Sequence, residues 1–169
     1  MALIHDLVSE EKLYEKKVIL LAIDDFDKEW RALTGLVAGS MADYYQRPCI
    51  LTFLGDDGAY YGSLRCPNNM PAFEHFKDDC NASKLIKYAS GHQQAAGIAF
   101  EADAVKALEK YFEQKYADVD TSTAYMVDFI IDAEDPELPD IIAELADYSN
   151  YWGQGIKEPL IAITNVKIA

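Results

Sequence analysis

Apolar and charged positions alternate at helical spacing in residues 3–17, which predicts an amphipathic helix at the start of the chain. The run VILLAI, residues 18–23, predicts a buried strand. Thr34 is of a type that caps helices, and a helix is predicted from it to about Tyr45. The predicted inner face of that helix contains Leu36, Val37, Met41 and Tyr44.

The middle of the chain alternates between strand and helix patterns. CILTFL (49–54) and AYYGSLRC (59–66) flank the turn GDDG, which predicts a β-hairpin. Two short helices are predicted at about 72–79 and 83–89, followed by the strand AGIAFE (96–101) and a helix over 103–116. This order predicts an α/β domain, a mixed β-sheet with flanking helices.

The last fifty residues have a different pattern. AYMVDFIID (124–132) and LIAITNVKIA (160–169) predict strands, and PELPDIIAELADYS (136–149) predicts a helix between them. We therefore divide the chain into a lead-in helix (1–17), a main domain (18–118) and a short α+β segment (119–169).

Charge is distributed unevenly along the chain. The net charge is −14. Residues 118–147 hold ten acids and no Lys or Arg, so they contribute −10 and leave −4 for the rest. Residues 59–73 and 83–100 contain no acid. Because local potential matters more than net charge, an anion site is expected in these two stretches.

Composition excludes several classes of protein. No run of about eighteen apolar residues is present, so no membrane span is expected. The acid-containing N-terminus lacks the apolar region of a signal peptide. Cys49, Cys66 and Cys80 are widely spaced without a CxxC motif, which favours buried thiols of a cytoplasmic protein over zinc or disulfides.

Two motifs in the acid-free stretches suit phosphate binding. In YGSLR, Ser63 and Arg65 lie two apart on a predicted strand and share a face, with Gly62 beside them. In SGHQQAAG, small residues surround His92, which can donate to a phosphate oxygen. The alternatives are a solvated arginine and an exposed histidine in a Gly-rich turn.

The aromatic stretch YWGQG near the C-terminus also has two interpretations. Trp152 could stack on bases, as aromatic side chains do in single-strand binding proteins. We favour the alternative, in which Trp152 plugs the start of a small barrel.

The order of these motifs resembles the DHH-associated domain of the DHH phosphoesterases, and the RecJ branch most of all. WRALTGLVAGSMADYYQRP, GSLR and SGHQQAAG follow one another as in that family, and LADYSNYWGQGIKEPLIAI resembles the start of the RecJ oligonucleotide-binding barrel. The resemblance covers about residues 18–169. Ser90 replaces the first glycine of the family's GGH, and Arg31 replaces a histidine.

The resemblance implies a role in binding single-stranded DNA. It places a set of residues toward a cleft that holds phosphates, with a second set as accessory candidates. The first set is Gly62, Ser63, Arg65, Ser90, Gly91 and His92, and the second is Arg31, Lys84, Lys87 and Trp152.

The family's catalytic DHH motif is missing from this sequence, and no other catalytic residue is assigned. The resemblance therefore implies a C-terminal portion of a 5′-to-3′ single-strand DNA exonuclease, inactive alone and without metal. The manganese or magnesium would be bound by a partner DHH domain. Two alternatives stay open: the associated domain of a phosphodiesterase for cyclic dinucleotides or short RNA, and a non-catalytic acidic interaction module.

Overall fold

The computed structural model describes residues 2–25, 28–67, 70–121, 127–152 and 158–167. The chain forms two compact units, residues 1–123 and 124–169. The predicted division into a lead-in helix (1–17), a main domain (18–118) and an α+β segment (119–169) assigns a role to each segment, and these roles remain predictions. No helix among the described residues is long and apolar enough to cross a bilayer.

The first unit contains a mixed sheet of five strands in the order β1-β2-β3-β5-β4. Strands β1 and β2 are parallel and the other neighbours are antiparallel. This confirms the predicted α/β fold with a mixed sheet and flanking helices. In chain order the elements are α1 (Ala2–Glu10), β1 (Ile19–Ile23), α2 (Thr34–Tyr45), β2 (Cys49–Leu54), β3 (Ala59–Arg65), α3 (Phe76–Ala82), β4 (Tyr88–His92), β5 (Ala95–Glu101) and α4 (Val105–Lys115).

One face of the sheet is sealed by α3 and α4. Alternate strand residues such as Ile50, Leu64 and Ile98 pack there against buried aromatic side chains. Phe76 and Phe112 are fully buried, and their ring centroids lie 5.5 Å apart. Burial of large side chains is the dominant stabilising contribution in a domain of this size.

The opposite face is covered mainly over β1 and β2. There α1 and α2 bury a second cluster that includes Ile4, Val8, Leu21, Met41 and Leu51. Because α1 packs in this cluster, the N-terminal helix is part of the core of the first unit.

Arg47 is a buried connection between distant segments of the first unit. Its guanidinium donates to the carbonyl oxygens of Lys16 at 2.7 Å, Tyr45 at 3.1 Å and Thr121 at 3.0 Å, and also to that of Tyr14. Burial lowers the pKa of Arg47 from its usual value. The carbonyl oxygens accept hydrogen bonds from the buried guanidinium, and these bonds offset the cost of removing its charge from water.

The second unit has a much smaller core. It contains β6 (Phe129–Asp132), α5 (Leu138–Asp147) and β7 (Ile161–Thr164), and β6 pairs in parallel with β7. This confirms the predicted short α+β segment after the main sheet. None of its described residues is buried, and Ile130 is 70% exposed.

Three local predictions were wrong. Residues 88–92 form strand β4 where a helix was expected over 83–89, because β4 is an edge strand of small residues without the usual β-branched signal. The first helix ends at Glu10, well before residue 17. Leu33 precedes α2 as its cap, and Thr34 is already helical.

The inner face of α2 also differs from the prediction. Leu36 and Tyr44 are each 70% exposed, whereas Thr34, Ala38 and Ala42 are buried. Small side chains on the inner face let α2 approach the sheet closely. At this short distance between helix and sheet, the larger side chains lie on the outer face of the helix.

Candidate nucleic-acid interface

Strands β3, β5 and β4 present the predicted polar residues on one face of the sheet. Residues that pair across neighbouring strands project to the same face, so the pairing defines rows of side chains. We name three of them: the cationic row (Arg65, Ala95, His92), the serine row (Ser63, Gly97, Ser90) and the tyrosine row (Tyr61, Ala99, Tyr88). The predicted Ser63, Arg65, Ser90 and His92 therefore share a face, which is the incompletely covered one.

The middle strand of these rows contributes only alanine and glycine, and this makes a groove. Its floor is β5 and its walls are the side chains of β3 and β4, whose backbones are about 10 Å apart. Gly97 is exposed, and a Cβ there would come no closer than 3.9 Å to another atom. The fold thus tolerates a side chain at Gly97, and its absence leaves space at the floor for a ligand.

Arg65 and His92 line one cavity at the end of the groove. The cavity has a volume of about 400 Å³, which is in the range of small-ligand sites. Its lining residues are Gly39, Asp43, Arg65, Cys66, His92, Gln93, Gln94 and Ala95. A guanidinium and an imidazole therefore face the same space, with one carboxylate in the wall.

The side chain of Arg65 is positioned by two glycines of α2. A Cβ on Gly35 would lie 2.5 Å from Arg65 Nη2, and one on Gly39 would lie 4.0 Å from Arg65 Cγ. Arg65 Nη1 donates to the carbonyl oxygen of Leu64 at 2.7 Å. No carboxylate in the described parts of the chain forms an ion pair with it. The remaining guanidinium donors are therefore available to an anion.

Ser63 is engaged with the start of α2. Its hydroxyl lies 3.0 Å from Thr34 Oγ1, which donates to the carbonyl oxygen of Arg31 at 3.3 Å. When Thr34 uses its single proton in this way, Ser63 is the donor between the two hydroxyls. In this arrangement Ser63 ties the sheet to α2, and Arg65 remains the main donor on β3.

The hairpin turn after His92 is anchored on both sides. Gln93 Nε2 donates to Asp78 Oδ2 at 2.6 Å, which holds the pKa of that carboxyl below its usual range. The Cys66 amide donates to the carbonyl oxygen of Gln94 at 2.9 Å. These bonds fix the backbone beside His92. Sequence reasoning missed both glutamines, although their position directly after the histidine was an available signal.

Gly62 and Gly91 have structural reasons to be glycine. A Cβ on Gly62 would lie 2.0 Å from the carbonyl oxygen of Leu51. Gly91 has φ +137°, and a Cβ there would lie 2.8 Å from the carbonyl oxygen of Ala95. Both glycines allow neighbouring strands to pair closely, which keeps the rows in register.

Two of the accessory candidates lie toward the far end of this face. Arg31 sits 4.5 Å from the ring centroid of Phe53, which pairs with Tyr61 of the tyrosine row. Lys87 forms ion pairs with Glu101 at 3.0 Å and Asp57 at 3.7 Å, and its hydrogen bond to Glu101 raises its pKa. Lys87 is therefore already neutralised within the protein.

The other two accessory candidates are Lys84 and Trp152. Lys84 is exposed, with φ 57°, in the turn between α3 and β4. Trp152 belongs to the second unit and is half-buried. Its neighbours Gly153–Lys157 lie outside the described residues, so the choice between stacking and a barrel plug stays a prediction.

The described residues do not provide a metal centre. No group of three or more His, Cys, Asp or Glu in that part of the chain could hold a metal ion. Cys49, Cys66 and Cys80 are free and buried, as predicted, and burial raises the pKa of Cys49 to about 12. A two-metal hydrolytic site needs several converging carboxylates and imidazoles, which these residues do not supply.

Comparison with known proteins identifies the relatives of this chain. It is 31% identical over 170 residues to the protein named "Putative SPbeta prophage-derived single-strand DNA-specific exonuclease YorK" of Bacillus subtilis (strain 168), and equally to yorK of Bacillus phage SPbeta. The match covers 98% of this chain and 29% of each relative. The crystal structure of RecJ with Mn²⁺ from Thermus thermophilus matches 94% of this chain and 24% of its own, with a TM-score of 0.55 at 22% identity.

The chain has a RecJ-like fold, and its sequence is similar to part of both YorK proteins. The Mg²⁺ complex of the same Thermus RecJ agrees, with a TM-score of 0.54, 24% identity and coverage of 89% of this chain and 23% of its own. No family model matches the sequence. The resemblance to the RecJ branch is confirmed at the level of the fold, and the chain spans less than a third of the length of the relatives it matches.

Proposed function

We infer that the first unit of this RecJ-like chain is the substrate-binding portion of a 5′-to-3′ single-strand DNA exonuclease, which holds phosphates for a metal-dependent DHH domain. One observation carries the proposal. Arg65 and His92 belong to one row and line one cavity, beside a groove whose floor has no large side chains.

The chemistry of the cationic row fits a phosphodiester. A guanidinium forms paired hydrogen bonds with phosphate oxygens, and an imidazole N–H supplies a further donor. The open position at Gly97 lets a nucleic-acid backbone approach the sheet. Asp43 in the cavity wall opposes anions, so we expect modest affinity.

Oligonucleotide binding tests the proposal. Arg65→Ala and His92→Ala should each weaken binding of a labelled single strand by about 1.5–3 kcal/mol, the value of a charged hydrogen bond. Lys106→Ala and His75→Ala are matched controls, because both residues are exposed and neither lines the cavity. Isotherms of Arg65→Ala and His92→Ala that coincide with those of the controls would exclude this site.

The relative affinities for different ligands should distinguish a single-strand DNA exonuclease from a small-substrate phosphodiesterase. We expect single-stranded DNA to bind more tightly than cyclic dinucleotides or short RNA. The opposite ranking would favour the small-substrate phosphodiesterase. Binding of a basic protein partner, without any nucleic acid, would favour the acidic interaction module.

A hydrolysis assay tests whether this chain binds the substrate while a separate DHH domain cleaves it. The described residues offer one cationic site and no metal cluster, so we expect no turnover of DNA with manganese or magnesium by this chain alone. Electrostatic stabilisation by the cationic row would supply about 10² to 10³ in rate, far less than such cleavage requires. Activity should appear when a separate DHH domain is added. Turnover by the pure chain that is lost in His92→Ala would contradict this role.

A further inference from the structure

The tyrosine row, at the opposite end of the groove from the cationic row, has a chemistry of its own. Tyr88 is 46% exposed, and Tyr61 stands across Ala99 from it. Ala99 between them has a small side chain and is fully buried, and Lys87 Nζ lies 5.9 Å from the centroid of the Tyr61 ring. The phosphate site makes no use of this row.

The ring of Tyr61 is held in place by the turn between β2 and β3. Its hydroxyl donates to Asp57 Oδ2 at 2.6 Å. A Cβ on Gly55 would come within 2.9 Å of two carbons of the ring, so the turn lies against the ring edge. A side chain fixed in this way loses little further freedom when a flat ligand stacks on it.

Electrostatics make the two ends of the groove unlike. At the tyrosine row, the carboxylates of Asp57 and Glu101 share the single ammonium of Lys87, which leaves one negative charge in excess. Phosphate is therefore disfavoured there and favoured at Arg65 and His92. An uncharged aromatic base suits the tyrosine row, since every base has a face that stacks on aromatic side chains.

The spacing of the rows sets the size of the ligand. Arg65 and Tyr61 are four residues apart on β3, which corresponds to about 13–14 Å along the strand. Successive nucleotides in one strand of a duplex rise by only about 3.4 Å. A ligand that reaches from the cationic row to the tyrosine row therefore contains more than one nucleotide.

We propose that Tyr88, together with Tyr61, forms a base-stacking subsite of this groove. A single strand places one phosphate on Arg65 and His92 and a base from further along the same strand over the tyrosine row. The inference rests on the proposed function, because it extends the same ligand along the same face. Since stacking depends little on base identity, this subsite tolerates any sequence.

The experiment compares a labelled thymidine oligonucleotide with an abasic oligonucleotide of the same length, using the full chain and fluorescence anisotropy. The parent chain should bind the thymidine strand roughly 5- to 150-fold more tightly, the range found for stacking one base. Tyr88→Ala should lose this difference and bind both strands equally. Tyr88→Phe should retain it, because the ring is kept and only the hydroxyl is removed.

Arg65→Ala separates failure of the subsite from failure of the proposed function. If Tyr88→Ala keeps the difference between the strands while Arg65→Ala weakens both, the subsite is wrong and the phosphate site stands. If Arg65→Ala changes neither, the phosphate site fails and the subsite fails with it. Thermal unfolding checks each variant. If Tyr88→Ala lowers the Tm, the two strands are compared with Tyr88→Leu instead, which keeps apolar bulk without an aromatic face. Tyr88→Leu should also lose the difference in affinity between the strands.

Discussion

The two faces of the five-stranded sheet use alternate residues of the same strands for different purposes. On β5, Ala96 and Ile98 are buried in the core under α3 and α4, whereas Gly97 between them is exposed to solvent. On β3, Leu64 is fully buried and its neighbour Arg65 lines a cavity. A shift of one residue along a strand thus moves from the core to the candidate binding surface.

Stability and binding can therefore be altered separately, by substitutions on different faces of the sheet. The sealed face contains large buried aromatic side chains such as Phe76 and Phe112, so substitutions there act on folding. Over β3, β5 and β4 the other face is open and contains small or polar side chains in its cationic and serine rows, so substitutions there act on ligands. The predictions below test this separation.

The largest effect is expected on the sealed face. Phe76→Ala removes a fully buried ring that contacts Phe73 and Phe112. The free energy of unfolding should fall by about 3–5 kcal/mol, as measured by urea denaturation. Oligonucleotide affinity of the folded fraction should stay unchanged. A large loss of affinity in fully folded protein would mean that the sealed face also contributes to binding.

The mirror experiment is Gly97→Val on the open face. The added side chain has room within the protein, so the urea midpoint should not fall. It would occupy the floor of the groove, and DNA affinity should drop by about tenfold or more, comparable to the loss of one charged hydrogen bond. A variant that unfolds easily but binds normally would contradict both halves of this prediction.

Salt dependence gives a sharper count of the cations used by the open face. At about pH 5, where an ordinary histidine carries a proton, Arg65 and His92 should each neutralise about one phosphate, while Lys87 is already paired with two carboxylates. With about −0.7 per phosphate on a single strand, the log–log slope should be near −1.4. Between 50 and 200 mM salt, affinity should then fall by about sevenfold. A slope steeper than about −3 would require cations outside this groove.

The smallest effect is expected at Asp43, the acid in the cavity wall. Asp43→Asn removes a charge that opposes phosphate, without changing the size of the side chain. Because Asp43 is exposed, affinity for DNA should rise by about 0.2–1 kcal/mol. The gain should shrink as salt is added, and a gain that persists at high salt would point to a different cause.

Sequence patterns predicted the parts of this fold that depend on local signals. The hairpin of β2 and β3 has a Gly-Asp turn between apolar runs, so Ser63 and Arg65 were expected on one face of a strand. The pairing of β4 with β5 could not be read in the same way. Tyr88 to His92 has neither a clear alternation nor β-branched residues, and only tertiary pairing makes it a strand.

The candidate site was predictable in its residue types and not in its geometry. Acid-free stretches around Arg65 and His92 indicated an anion site, and the structure brings these two residues to one cavity. The role of Gly35 could not be inferred, because its neighbour is a guanidinium on a strand 30 residues later. The tyrosine row was likewise invisible until the register of β3, β5 and β4 was known.

The carbonyl contacts of Arg47 have a consequence for the timing of folding during synthesis. Thr121, which accepts from Arg47, follows it by 74 residues. At a synthesis rate of about 5–20 residues per second, the ribosome adds Thr121 roughly 4–15 s after Arg47. During that interval the Arg47 guanidinium lacks one of its acceptors, the carbonyl oxygen of Thr121. The hydrogen bonds of Arg47 in the first unit are therefore complete only after Thr121 has been made.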